Sequence, residues 1–370
     1  MLSKCRSCDS SEVAVVATRE KFPLYIWPLQ KDDLTKLEDI DLYVCNNCGY
    51  MQLQHMSNST ISQIYRNEAF NIDNPSQIES RYQLICQSKN KFSDKRVLEV
   101  GGGRNSFITS LPDETEKWIA DFSIDEQIKP DLDGYFIGDF NEIKFENNKF
   151  DFVFMFHVLE HFNNPGIALS KARTLLKTSG RLIVEVPNFE FECQKIPYYT
   201  LFHMHISLFT ENSLISFMKR FGFKCIDFFK KNNVLLAEFS MEESTNDECH
   251  KNHSIDLIHK LEFNINNSRA KIIRMFQDMK MEKIAIFGAG GATTLFLYNF
   301  PFLIKKLCFA IDNNSKKWGR YLCNGEISII SSKDFLKKDV NNVIILDESH
   351  IKLFNTNKIN LINIGNFYDS

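Results

Sequence analysis

Short apolar runs recur along this chain, and most are closed by glycine, an acid or proline. Arg96-Val97-Leu98-Glu99-Val100 runs into Gly101-Gly102-Gly103, and Trp118-Ile119-Ala120 ends on Asp121. Phe150–Phe156 is almost wholly apolar, which predicts a strand buried on both faces. A helical pattern follows over Pro165–Leu176, then Ser179-Gly180 and a strand over Arg181–Val186. This alternation predicts an α/β fold with a parallel sheet. A helix over Glu211–Phe221 ends at Gly222, a C-cap residue, and Lys224–Phe229 with Val234–Phe239 predicts an antiparallel pair at the sheet edge.

The same rhythm starts again later. Met241–Glu248 is acidic and polar and reads as a linker; a helix of about 30 residues is predicted from His253 to Met281. A strand over Lys283–Phe287 then meets Gly288-Ala289-Gly290-Gly291 and a helix to Tyr298, with later strands at Lys306–Ile311, Val343–Leu346 and Leu361–Ile364. In front of the first α/β unit, Val13–Thr18 and Asp41–Val44 read as short strands, with a helical turn over Asp32–Glu38. Residues 57–92 read as a helical arm broken at Asn74-Pro75. The expected domains are 1–56, 57–240 with that arm, a linker and long helix over 241–281, and 282–370.

At 370 residues, 44% hydrophobic and 13% aromatic, the chain has core material for two to three domains. A net charge of −3 supplies no basic excess for phosphate contacts, so a nucleic-acid partner is not expected. Without a run of about 18 apolar residues, membrane insertion is not expected either. With no secretory leader pattern, the expected location is the cytoplasm. The composition leaves the oligomeric state open.

Four of the ten cysteines stand in two C-x-x-C pairs, Cys5/Cys8 and Cys45/Cys48, the second followed by Gly49. Two such knuckles can place four thiolates tetrahedrally around a structural Zn2+. Two disulfides are the alternative; scattered single cysteines elsewhere fit a reducing compartment and favour the metal. Cys249-His250 with His253 looks metal-like but offers no fourth ligand, and reads as a solvated helix start.

The first glycine turn puts bare backbone at the carboxyl edge of a sheet, where open α/β folds bind ligands. Asp121, about 20 residues on, can accept from ribose hydroxyls, and Asp139 after Gly138 can accept from an adenine amino group. Phe150-Asp151-Phe152-Val153-Phe154 leads to His157-Val158-Leu159-Glu160-His161-Phe162. With V-L-E-V-G-G-G and L-L-K-x-S-G-R-L-I-V-E-V-P-N, these motifs resemble class I S-adenosylmethionine-dependent methyltransferases over Arg96 to about Phe239. The resemblance implies a Rossmann-like core that binds S-adenosylmethionine through Glu99, Gly101, Gly103, Asp121 and Asp139, with His157 facing the methionine side. Asn105 stands where a third glycine is common, a departure a left-handed Asn can tolerate. Glu160 and His161 read first as helix-capping and packing residues.

Farther on, Phe202-His203-Met204-His205 should lie above that sheet edge. His205 could be a base or a loop anchor; His203 reads as exposed, with a lesser claim as base. The cysteine module, this core and the later segments Phe287–Leu295 and Asp312–Tyr321 together resemble bacterial sugar C-methyltransferases over nearly the whole chain. That resemblance implies a nucleotide-linked keto sugar as acceptor, in polysaccharide or glycoconjugate synthesis. It also implies a C-terminal Rossmann-like domain that helps enclose this substrate, rather than a nicotinamide site. Thr293 stands where a dinucleotide fingerprint would have its third glycine. The departures are Phe202 and Met204, where the family has tyrosine and glutamate, and Asp347-Glu348 for a W-N pair. They leave open methylation at a hydroxyl, another small acceptor, or a non-catalytic binding protein with a degenerate core.

Overall fold

The computed structural model describes residues 2–57, 60, 81, 85, 91–103, 106–146, 149–195, 197–243, 251–278, 283–346, 354 and 359–364. Asn105, Asn74-Pro75, Cys249-His250 and Asp347-Glu348 lie outside the described residues. The chain forms two compact units whose segments interleave in sequence. One comprises Met1–Val16, Leu42–Glu190 and Met204–Ile255, the other Ala17–Asp41, Phe191–His203 and Asp256–Ser370.

The N-terminal strands are β1 (Val13–Pro23), β2 (Leu37–Cys45) and β3 (Met51–Leu53). The first glycine turn follows β4 (Arg96–Val100), and β5 (Glu116–Asp121), β6 (Gly134–Ile137) and β7 (Phe150–Phe156) come next. Then come helix α1 (Pro165–Leu175) and β8 (Leu176–Pro187). The first unit also holds β9 (Ser207–Leu208), α2 (Glu211–Arg220), β10 (Phe223–Lys231) and β11 (Val234–Met241). Its main sheet has the order β10-β11-β8-β7-β4-β5-β6. β4 pairs in parallel with β5 and β7, while β11 pairs antiparallel with β8 and β10.

Period-2 alternation sends neighbouring residues to opposite faces of this sheet. Leu98, Val153, Met155, Leu182 and Val184 enter one apolar cluster, while Val97, Phe152, Phe154 and Ile183 enter the other. Both faces are therefore covered, as the apolar run at Phe150–Phe156 predicts. The carboxyl ends of the parallel strands converge on Gly101, Asp121 and His157.

Two local expectations fail. Leu37–Cys45 is a continuous strand, so Glu38 extends it instead of closing a helical turn over Asp32–Glu38. β8 begins directly at Leu176 rather than after Ser179-Gly180, and its register against β7 jumps between Phe150/Leu176 and Phe152/Arg181. The extra residues are absorbed as a bulge, which a pattern search reads as a turn.

In the second unit, α3 (Lys251–Asp278) reaches in from the preceding segment with 28 residues, close to the expected length. β12 (Ile284–Phe287), α4 (Gly291–Asn299), β13 (Leu307–Ile311), β14 (Tyr321–Leu322), β15 (Ile327–Ile330), β16 (Asn342–Ile345) and β17 (Asn360–Asn363) complete it. The sheet order is β14-β15-β13-β12-β16-β17, with β12 parallel to β13 and β16.

Candidate functional site

The turn after β4 is built around a buried acid. Glu99, 2% exposed, accepts from Ser106 Oγ at 2.7 Å and from the backbone N–H groups of Phe107 and Ile108 at 3.2 Å each. Burial raises its pKa, and these donors oppose the rise. Glu99 therefore acts here as the brace of the loop. Asp121 Oδ2 accepts from Gly103 N–H at 2.9 Å and Oδ1 from Ser123 N–H at 3.1 Å. Gly101 has φ +83°, and a Cβ on Gly103 would lie 1.9 Å from Ser123 O. Only glycine fits that place, because the buried turn packs its backbone directly against Ser123 and the Asp121 carboxylate. Asp139 caps its own turn, its Oδ1 accepting from Asn141 N–H at 2.9 Å.

At the end of β7 the backbone of His157 is left-handed, φ +49°, a conformation that non-glycine residues adopt mainly under local constraint. The constraint is a chain of charge. His157 Nδ1 lies 3.3 Å from Glu160 Oε1, and Nε2 makes an ion-pair contact of 3.0 Å with Glu185 Oε1. Glu185 also receives Arg81 through Nε at 2.9 Å and an Nη at 2.6 Å. Desolvation opposes charge on His157, but Glu160 and Glu185 overcome it and raise its pKa to about 10. Burial likewise pushes Glu185 up, yet His157 and Arg81 bring it down to about 2.

The chain continues toward the acceptor loop. His161 Nε2 lies 3.8 Å from Glu160 Oε1, and His161 Nδ1–H donates to Met204 O at 2.8 Å. The rings of His161 and His205 are 5.0 Å apart, centroid to centroid. Glu160 is 1% exposed and His205 8%, and burial, reinforced by repulsion from His161 and His157, holds His205 well below its ordinary pKa. His205 is thus neutral near pH 7. Glu160 and His161, read from sequence as packing, instead flank it.

The loop carrying His205 is stitched to the cysteine module. β9 pairs antiparallel with β3 at Met51/Leu208 and Gln52/Ser207, and Tyr50 Oη donates to Ser207 Oγ at 2.6 Å. The β2–β3 connection is the second knuckle, and Arg6 of the first bonds Gln52 Oε1 and Leu53 O. Sulfurs of Cys5 and Cys48, and of Cys8 and Cys45, lie 3.6 Å apart. This is far beyond a disulfide and close to the ~3.8 Å edge of a tetrahedron with ~2.3 Å zinc–sulfur bonds. The four Sγ atoms all fall within 4.8 Å of one another, so the donor set fits Zn2+.

The other expected residues lie in the second unit. His203 is 6% exposed rather than solvated, with Nε2 3.4 Å from Phe22 O. Tyr198 is an anchor, its Oη donating to Ile265 O at 2.9 Å. Asp312, after the second glycine turn, accepts from Ala289 N–H and Asn314 N–H at 2.8 Å each and from Lys317 Nζ at 2.9 Å. Its carboxylate holds the turn together, which leaves little of it for a dinucleotide ribose.

Sequence reasoning missed Glu185 and Arg81. A lone acid inside Leu182-Ile183-Val184-Glu185-Val186 signals a buried charge, but no local pattern names its partner over a hundred residues away.

Residues 73–227 match a family model described as a methyltransferase domain, and residues 236–363 one described as a C-methyltransferase C-terminal domain. The chain is a class I S-adenosylmethionine-dependent methyltransferase. No curated protein matches it significantly. Among solved structures, the methyltransferase is similar to the PH0226 protein from Pyrococcus horikoshii OT3. The match has 16% identity and a TM-score of 0.40, covering 51% of this chain and 100% of that one. It is similar to Burkholderia thailandensis 1,6-didemethyltoxoflavin-N1-methyltransferase at 13% identity and a TM-score of 0.37, covering 54% and 98%. No helix among its described residues is long and apolar enough to cross a membrane.

Proposed function

We propose that this methyltransferase acts on carbon, with a nucleotide-linked keto sugar as acceptor and His205 as the base. The observation that carries the reading is the buried, neutral His205 beside the Glu160 carboxylate, in a chain whose C-terminal part matches a C-methyltransferase domain. S-adenosylmethionine, when bound, supplies an electrophilic methyl group with its own leaving group. The protein then has only to align the acceptor and remove a proton.

Gly101, Gly103, Asp121 and Asp139 hold the adenosine part of the cofactor, with Glu99 bracing the loop. His157, kept cationic by Glu160 and Glu185, lies toward the methionine part. His205 takes the proton alpha to the ketone, which leaves the carbon nucleophilic. Glu160 offers counter-charge to the imidazolium so formed. Phe202 and Met204, at 3% and 5% exposure, pack instead of reacting, so the chain does without the tyrosine and carboxylate of its relatives. Cys5, Cys8, Cys45 and Cys48 bind a structural zinc ion that seats β3 and, through it, β9.

Incubating the zinc-loaded protein with cofactor and a panel of keto-sugar nucleotides, with mass spectrometry of the products, tests the reading. One member gains a carbon-bound methyl group. Methylation only of hydroxyls on non-keto sugars would refute it.

A further inference from the structure

We propose that Glu160, His161 and His205 form a second metal site, for a divalent first-row transition ion, and that the ion inhibits the enzyme. The three side chains offer a carboxylate oxygen and two imidazole nitrogens, all within 4.8 Å of one another. Glu160 uses Oε1 toward His157, while its Oε2 is buried without a hydrogen-bond partner. A buried, unmatched carboxylate oxygen is costly unless a cation or donor meets it.

His161 is also prepared. A carbonyl oxygen only accepts, so His161 Nδ1 carries the proton that bonds Met204 O, and Nε2, on the side facing Glu160, is the nitrogen that can ligate an ion. Histidine ligands to metals are typically fixed in this way through their other nitrogen. Two imidazoles and a carboxylate suit Zn2+, Co2+ or Ni2+ rather than Mg2+ or Ca2+. Bond lengths of ~2.0–2.2 Å place the ligand atoms ~3.4 Å apart around a tetrahedral ion, so the cluster closes with side-chain shifts of about 1 Å. Three protein ligands leave one position for water or an acceptor oxygen. The ion would occupy the lone pair of His205; that it inhibits rests on His205 being the base, whereas its binding does not.

The probe is Co2+ titrated into zinc-loaded protein, read by absorption and by metal content. Wild type is expected to take up one equivalent beyond the cysteine-bound zinc, with weak visible bands and no thiolate charge-transfer. Glu160→Gln and His161→Ala should each weaken this binding by at least about tenfold, with the far-ultraviolet circular dichroism retained. A wild type that binds no second equivalent overturns the site without reference to any variant. So does uptake that both variants leave intact, or uptake accompanied by thiolate charge-transfer from the cysteines. Methyl transfer should fall in step with cobalt occupancy. Binding without loss of turnover would overturn the inhibition and the base role of His205, while leaving the metal site standing.

Discussion

Replacing Arg81 by methionine tests whether the buried charge chain holds the β7–β8 edge together. Arg81 is 7% exposed and Glu185 5%, and the guanidinium reaches Glu185 Oε1 twice, at 2.9 and 2.6 Å. It also lies over the Phe156 ring, 4.7 Å from the centroid. Removing one partner of a buried pair costs about 3–5 kcal/mol when the other is left uncompensated. Glu185 keeps a partner in His157, which places the expected loss near 3 kcal/mol, part of it the lost guanidinium–ring contact. Calorimetric melts at pH 7 should then show a transition about 6–12 °C lower. Arg81→Lys should recover part of the loss, since lysine keeps the charge without the paired donors. A change below about 0.5 kcal/mol in the methionine variant would refute the reasoning, because such a loss is ordinary for a surface site.

Three further outcomes follow from the same geometry. His157 is raised from 6.5 to about 10, so its share of stability is complete below pH 6.5 and is lost as pH rises through 10. Glu185 falls from 4.5 to about 2, so its share is present above pH 4.5 and is lost as pH falls through 2. Denaturant melts across pH should therefore decline on the alkaline side in wild type and less steeply in His157→Asn. Gly103→Ala, whose Cβ would meet Ser123 O at 1.9 Å, should abolish S-adenosylmethionine binding in isothermal titration. Stripping the metal proposed at the four cysteines should end acceptor turnover by unseating β3 and β9, while titration still detects cofactor binding.

The sequence made some of this legible and hid the rest for identifiable reasons. Glycines, a strand and Asp121 at the right distance mark the cofactor edge because one short βαβ stretch contains them all. The cysteine spacing marks the metal site because each knuckle is a local turn. The pairing of β3 with β9 is different, since it joins residues about 150 positions apart through two-residue and three-residue strands too short to show periodicity. Glu160 shows the same limit. Its place in V-L-E-H fits a helix-capping role, and only the fold brings His205 beside it. His203 went the other way: a polar residue in a loop reads as exposed, yet it is buried with Nε2 3.4 Å from Phe22 O.

The most direct test of the account is solvent exchange at the acceptor. With a turned-over keto-sugar nucleotide in heavy water, wild type should exchange the alpha hydrogen in the absence of a methyl donor. His205→Asn should lose that exchange while still binding S-adenosylmethionine, and His203→Asn should retain it. Exchange that survives in His205→Asn at the wild-type rate would contradict the claim that His205 is the base.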